Sequence, residues 1–305
     1  MTGAARPAAE AEAMPGGTRR LAACAAQWAV THRVMAGGWN LRYREAGAGP
    51  VLVLVHGLGC STDYWVRNGA WLAAAGFRVL APDLPGFGRT EGPRTGLSIV
   101  QQAYAVSVFA EAMRLGPAAY LGHSLSCQTV LELACTEPER VTAIVLAAPT
   151  GDRRKKRLLH EAVGFLRDIP REPPSLVPLV VDAYLRAGVV RWTRTWLAGK
   201  RHDAFHAARE IQVPALVLAG ERDPVVPVKF ARAIANTIRS ARLQVIPQAA
   251  HALIYDQPAG FNAAVVGFLS EVLGLETATG AEMETETMDG GVDGLEPARR
   301  SVRSE

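Results

Sequence analysis

The sequence is short of several things, and each shortage narrows what the chain can be. Its four cysteines, Cys24, Cys60, Cys127 and Cys135, form neither a CxxC pair nor the Cys/His spacing of a zinc site. They read as reduced thiols, which fits a cytoplasmic protein without a structural metal. No apolar run is long enough to span a bilayer. The nearest approach, Leu21 to Val30 behind Thr18-Arg19-Arg20, is broken by Gln27, ends in Thr31-His32-Arg33 and has no small-x-small cleavage site, so it makes a poor export signal. Neither sign of charge dominates: 33 Lys and Arg against 29 acids leave a net charge of +4. That balance gives no reason to expect nucleic acid or a membrane as partner. Internal repeats are lacking as well.

What is present suits a large buried core. Of the 305 residues 49% are hydrophobic and 20% charged, and open α/β sheets of this length often form one domain. The ends differ from the middle. Residues 1–20 are Ala, Gly, Pro and Glu without periodicity, and residues 276–305 are Thr, Gly, Met and acids closing on Arg299, Arg300 and Arg303. By composition they read as a disordered leader and a disordered acidic tail.

Between them the hydrophobic pattern alternates strand and helix. Trp28 to Met35 and Trp39 to Glu45 flank Ala36-Gly37-Gly38 as a hairpin, and Val51-Leu52-Val53-Leu54-Val55 is the continuous apolar run of a strand buried on both faces. A helix is expected between Asp63 and Ala75, a strand at Phe77 to Ala81, a long helix from Leu97 to Leu115, and strands at Ala119 to Gly122 and Val141 to Ala148. This order predicts a parallel sheet with crossover helices. From Thr150 to Glu210 no strand is expected, only amphipathic helical pieces around a Pro-rich hinge. The rhythm then resumes with strands at Ala215 to Ala219 and Leu243 to Ile246, and helices from Val228 to Ile238 and Gly260 to Leu273. A helical insertion between two sheet strands reads as a cap over the carboxyl ends of the strands, where ligands sit in such sheets. The expected parts are therefore a core of residues 21–149 and 211–275, with a cap at 150–210.

Chemistry enters at Gly122-His123-Ser124-Leu125-Ser126, a strand, a tight turn and a helix start with a serine at the apex. Small residues on both sides of that serine let strand and helix pass closely while its hydroxyl stands clear of the sheet. A serine hydroxyl needs an imidazole to take its proton, and the imidazole works best when an acid orients it. His251, in Gln248-Ala249-Ala250-His251-Ala252, follows the last strand, and Asp223, in Gly220-Glu221-Arg222-Asp223, follows the one before. Ser124, Asp223 and His251 would thus emerge at one end of a parallel sheet.

With these residues in place the chain resembles the α/β-hydrolase fold superfamily, in particular its cap-bearing esterase-like serine hydrolases. His56-Gly57-Leu58-Gly59 matches that family's oxyanion loop, Asp83-Leu84-Pro85-Gly86-Phe87-Gly88 its turn after the next strand, Gly122 to Ser126 its nucleophile elbow, and Gly220 to Asp223 with His251 its acid and base segments. The likeness runs from Trp39 to Leu273. It implies a mostly parallel sheet flanked by helices, an oxyanion hole made by the backbone N–H groups of Leu58 and Leu125, and a catalytic triad of Ser124, Asp223 and His251. No cofactor or metal is implied, and the partner is a small, apolar ester or acyl substrate. Carbon–carbon hydrolysis, cofactor-free peroxidation, acyl transfer and slow-turnover ligand binding stay open to the same site. One departure is Ser126, where the family's elbow ends in glycine; slightly looser strand–helix packing is expected.

Several neighbours compete for these roles. Asp152, beside the basic run Arg153 to Arg157, is the rival acid, and Asp256 is expected to cap the last helix. His123 points to the other face from Ser124 and reads as structural; His56 reads as shaping the oxyanion loop. Cys127 is expected to pack, and Cys60 to pack or line a pocket mouth. Between Asp152 and Glu210 stand thirteen Lys and Arg and seven acids, which reads as charge presented to water. Phe165, Tyr184, Trp192, Trp196 and Phe205 are expected to line a pocket or form a small core. A dinucleotide-binding loop at Gly57-x-Gly59 fails because Thr62 stands where a third glycine belongs.

Overall fold

The run Val51–Val55 becomes the third strand of an eight-stranded sheet and shows why the sheet is buried on both sides. In this computed structural model, which describes residues 15–151 and 163–275, Leu52 and Leu54 face one hydrophobic cluster while Val53 and Val55 face another. The strands are β1 (His32–Ala36), β2 (Trp39–Ala46), β3 (Val51–Val55), β4 (Arg78–Pro82), β5 (Ala118–His123), β6 (Val141–Ala147), β7 (Ala215–Gly220) and β8 (Ala241–Ile246). Their order across the sheet is β1-β2-β4-β3-β5-β6-β7-β8, antiparallel at β1–β2 and β2–β4 and parallel from β4 to β8. The chain begins the parallel part in the middle and winds out to both sides, so the carboxyl ends of β3, β5, β6, β7 and β8 share one edge.

Helices α1 (Pro15–Ala29), α2 (Gly69–Ala74) and Pro258–Leu273 cover one face, through Trp28, Leu72 and Phe261. On the other lie α3 (Ile99–Ala112), α4 (Ser126–Thr136) and Val228–Ala235, through Phe109, Val130 and Phe230. At the start of α3, Ser98 and Gln101 form a reciprocal capping box. Among the described residues, no helix is long and apolar enough to cross a membrane.

Four expectations are corrected. Residues 15–20, read as part of a structureless leader, belong to α1, and Trp28, read as the start of a strand, lies in the same helix. The Ala-rich segment buries Cys24 and Trp28 on α2, so packing organises what composition alone leaves open. The helix expected from Asp63 to Ala75 is instead a 3₁₀ turn, Thr62–Trp65, followed by the short α2. Asp256 does not cap the last helix. Gln257 holds that position without a side-chain bond, and Pro258 starts the helix, while Asp256 accepts from the Ala250 amide at 2.6 Å. The rival acid Asp152 and the run Arg153 to Arg157, like the tail from residue 276, lie outside the described residues.

Between β6 and β7 the described chain is helical. Residues 163–168 are followed by helices Val177–Ala187, Val189–Arg201 and Ala204–Glu210. This segment reaches back over the carboxyl edge of the sheet: a side chain on Gly59 would meet Tyr184 and Trp192 within 2.8 Å.

Candidate active site

The sequence around Ser124 sets its geometry before any partner arrives. β5 ends at His123 and α4 starts at Ser126, leaving two residues to reverse the chain. Ser124 turns it with φ of +56°, a left-handed conformation that side-chain-bearing residues adopt only under constraint. Its amide donates to Ala147 O on β6 at 2.8 Å, which fixes the turn to the sheet. Gly122 makes the passage feasible: a Cβ there would lie 2.5 Å from the Ser126 carbonyl oxygen. Ser126 is buried and its hydroxyl donates to the His56 carbonyl oxygen, so the residue that departs from the family's glycine ties the elbow to the end of β3.

Ser124, His251 and Asp223 meet at the carboxyl edge. Ser124 Oγ lies 3.0 Å from His251 Nε2, and His251 Nδ1 lies 2.9 Å from Asp223 Oδ2. Relative exposures of 6%, 6% and 7% leave little water to compete for these bonds. The other carboxylate oxygen, Asp223 Oδ1, accepts from the Val225 and Val226 amides at 2.7 and 2.8 Å, so the carboxylate cannot swing away. Burial alone would push the His251 imidazole down. The charge and hydrogen bond of Asp223, with Asp168 and Glu172 adding to them, outweigh it and raise the imidazole to about 9.

The loop after β3 is organised by two buried side chains. His56 Nε2 accepts from the Leu84 amide at 3.0 Å, and burial pushes its ring down, which keeps that nitrogen a neutral acceptor. Asp83 accepts from the Thr62 amide at 2.6 Å and the Arg89 amide at 2.8 Å and meets Arg42 at 3.2 Å. Gly57 is thereby brought against Ser124: a Cβ on it would lie 3.5 Å from Ser124 Cβ and 3.1 Å from His123 Nδ1. Neither the Leu58 nor the Leu125 amide donates to a backbone carbonyl among the described residues. His123 serves the base loop, with Nε2 donating to the His251 carbonyl oxygen at 3.0 Å; burial and the nearby His251 push its imidazole down to about 3.

Above Ser124 opens a cavity of about 690 Å³. Its walls are Leu58, Cys60, Tyr64, Phe165, Val180 and Trp192 with other apolar neighbours, and it reaches Ser124 and His251. Cys60, Phe165, Tyr184 and Trp192 therefore line it, whereas Phe205 packs edge-on against Phe230 and Cys127 is buried under the elbow. Two carboxyls in the wall, Asp168 and Glu172, were not singled out by the sequence. Asp168 Oδ1 accepts from the His251 amide at 3.3 Å and Glu172 Oε1 from the Ala252 amide at 3.0 Å. Burial raises both, and the neighbouring Asp168 charge helps push Glu172 up to about 9, so the pair holds a proton at neutral pH. Their i, i+4 spacing is the single trace visible in the chain. Among the described residues, no group of three or more His, Cys, Asp or Glu is placed to hold a metal ion.

A family model for the alpha/beta hydrolase family matches residues 52–264, and the chain belongs to that family. It is 28% identical over 267 residues to the 2-hydroxy-6-oxo-6-(2'-aminophenyl)hexa-2,4-dienoic acid hydrolase of Metapseudomonas resinovorans, covering 79% of this chain and 91% of the relative. It is 26% identical to the 2-hydroxymuconate semialdehyde hydrolase of Pseudomonas sp. strain CF600, covering 79% and 94%. Among solved structures, a serine hydrolase involved in carbazole degradation (the CarC enzyme) superposes with a TM-score of 0.66 at 28% identity, over 79% of this chain and 99% of that one. A thermophilic esterase from Thermogutta terrifontis, at 21% identity, shares the fold with a TM-score of 0.70 over 80% and 99%.

Proposed function

We propose that this alpha/beta hydrolase is a serine hydrolase that cleaves a carboxylic ester or related acyl bond of a small, apolar substrate. The observation that carries the proposal is the Ser124–His251–Asp223 chain, at 3.0 and 2.9 Å, at the foot of an apolar cavity. In its neutral form His251 Nε2 takes the Ser124 hydroxyl proton as Oγ attacks the substrate carbonyl carbon. The Leu58 and Leu125 amides hold the oxyanion; each such donor contributes on the order of 10²–10³ in rate. The imidazolium, steadied by Asp223, then protonates the leaving alkoxide, and the acyl group stays on Ser124. Water that surrenders a proton to His251 attacks the acyl-enzyme and releases the acid. The residue 150–210 segment acts as the cap that keeps bulk water from this sequence, and the reaction asks for no metal or organic cofactor.

A second reading, hydrolysis of a carbon–carbon bond beside a ketone, is favoured by the two named relatives, which match over more than nine-tenths of their length. The first of them takes a carboxylic acid. Among the described residues no Lys or Arg lines this cavity, and that supports the ester reading. Assay of p-nitrophenyl esters of graded acyl length, beside a dienoic acid of the relatives' type, separates the two. Ser124→Ala is expected to lower ester turnover by up to roughly 10⁶-fold. Near-wild-type esterase activity in that variant refutes the mechanism, and binding without turnover in the wild type indicates a ligand-binding protein.

A further inference from the structure

We infer that the paired carboxyls of Asp168 and Glu172 are specificity-determining groups that make the cavity accept neutral acyl chains and reject chains carrying a second carboxylate. The inference rests on the acyl-hydrolase reading for which end of the ligand meets Ser124; which ligands the cavity takes up is a separate measurement.

The argument begins with position. Asp168 and Glu172 come from the segment between β6 and β7, both line the cavity, and each holds one backbone amide of the base loop, His251 and Ala252 respectively. They are therefore fixed over the same loop that presents the base, and a substrate seated on Ser124 extends past them. The remaining wall offers a carboxylate no charged donor among the described residues, only the neutral Tyr64, Tyr184 and Trp192 side chains. Leu166, Ile169, Leu176, Val177, Val180 and Val181 are aliphatic, and among the described residues no Lys or Arg lines the cavity. Arg67, in the turn ahead of α2, is engaged with the Tyr255 carbonyl oxygen at 2.8 Å and with Ser175.

The charge balance gives the direction. With one proton between them the two carboxyls carry a single negative charge, and Asp223 balances His251 when the imidazole is protonated. A ligand carboxylate entering this space leaves water, finds no Lys or Arg among the described lining residues, meets in His251 a cation already paired with Asp223, and faces the like charge of the Asp168–Glu172 pair. At a separation of ~6 Å and an effective dielectric of about 20, like-charge repulsion alone weakens binding by about 100-fold. A neutral chain of the same length loses nothing, and the protonated carboxyl can donate a hydrogen bond to a carbonyl or ether oxygen along it.

A purely structural part for the pair, latching the cap segment to the base loop, makes a different prediction. Asp168→Asn with Glu172→Gln keeps a carbonyl acceptor for each amide and removes the charge. Wild-type protein and this double variant are assayed at pH 7.5 on p-nitrophenyl hexanoate and on the mono-p-nitrophenyl ester of adipic acid, which differ by a terminal carboxylate. The wild type is expected to favour hexanoate by about 100-fold in kcat/KM, mostly through KM. In the double variant the ratio is expected to shrink at least tenfold, whatever happens to the absolute rates. In parallel, fluorescence quenching of Ser124→Ala protein, in which Trp192 lines the cavity, reports Kd for hexanoic anilide and adipic monoanilide, with and without the double substitution. A wild-type ratio near one, or a ratio the double variant leaves unchanged in both assays, overturns the inference and leaves only the latch. If wild type turns over neither ester, the acyl-hydrolase reading fails by itself, and the Kd ratio decides the inference.

Discussion

Asp223 biases the base of the proposed reaction toward its protonated form, and that has a measurable consequence. His251 is buried, which by itself favours the neutral ring, yet Asp223 at 2.9 Å, with a side chain that has no exposure at all, raises the imidazole to about 9. Only neutral His251 can take the Ser124 proton. With a midpoint near 9, roughly one molecule in a hundred carries the base form at pH 7 and one in ten at pH 8, since each pH unit changes the ratio tenfold. The expected kcat/KM for a neutral ester is therefore about 1% of its plateau at pH 7, climbing tenfold per unit and levelling off above pH 9. The assay is pH-stat titration of the acid released from an ethyl ester, which avoids the alkaline lability of activated esters; Ser124→Ala protein supplies the blank at each pH. Asp223→Asn supplies the internal control. Removing the charge moves the midpoint down, while loss of the orienting carboxylate lowers the plateau by about 10⁴-fold, by analogy with a protease triad. A wild-type profile already flat by pH 7 refutes the electrostatic account, because the Asp223 contact would then not be holding the proton on His251.

The same groups tie stability to pH in the opposite sense. His251 has a folded value raised above the ordinary 6.5, so its contribution is fully present below pH 6.5 and is lost as pH rises through about 9. Glu172, raised from 4.5 to about 9, takes a proton more readily folded than unfolded, so it too makes stability fall between those values. The melting temperature is expected to decline from pH 6.5 to 9 while activity rises, and Glu172→Gln should flatten the decline; a melting temperature that climbs over this interval counts against both assignments. At the elbow, Gly122→Ala places a methyl group 2.5 Å from Ser126 O and 2.7 Å from Ser126 C, backbone atoms that cannot rotate away. A displacement of ~1 Å at Ser124 is expected to cost about 10²-fold in turnover and the overpacking about 1–3 kcal/mol in stability, read by ester hydrolysis and urea unfolding. Wild-type values in both would mean that strand and helix are not in contact there.

What the sequence revealed about this site, and what it hid, follows from how far along the chain each constraint reaches. Ser124 stands out because its environment is made by its own neighbours: an apolar strand, Gly122 two residues before and a small residue two after. Asp223 and His251 each sit just past a strand, so reading the strands brings them to one edge, where the geometry places them in hydrogen-bonding reach. The parallel sheet was legible for the same reason, since Val51 to Val55 announces burial on both faces without reference to anything distant. Asp168 and Glu172 are different. Four residues apart in a basic helical segment, they look like solvated charge, and only the folding back of that segment onto the His251 loop buries them. Trp28 likewise becomes helical because α2 lies beneath it, with Gly69 leaving room for its ring: a Cβ there would stand 2.1 Å from the indole. Asp256 is drawn from the helix start to the Ala250 amide because Pro258 has already fixed that start. Reaction machinery built from strand ends is thus written locally, one motif at a time. The wall proposed to choose the substrate is written in pairs of residues eighty or more positions apart, Asp168 with His251 and Glu172 with Ala252, and it becomes readable only once the chain is folded.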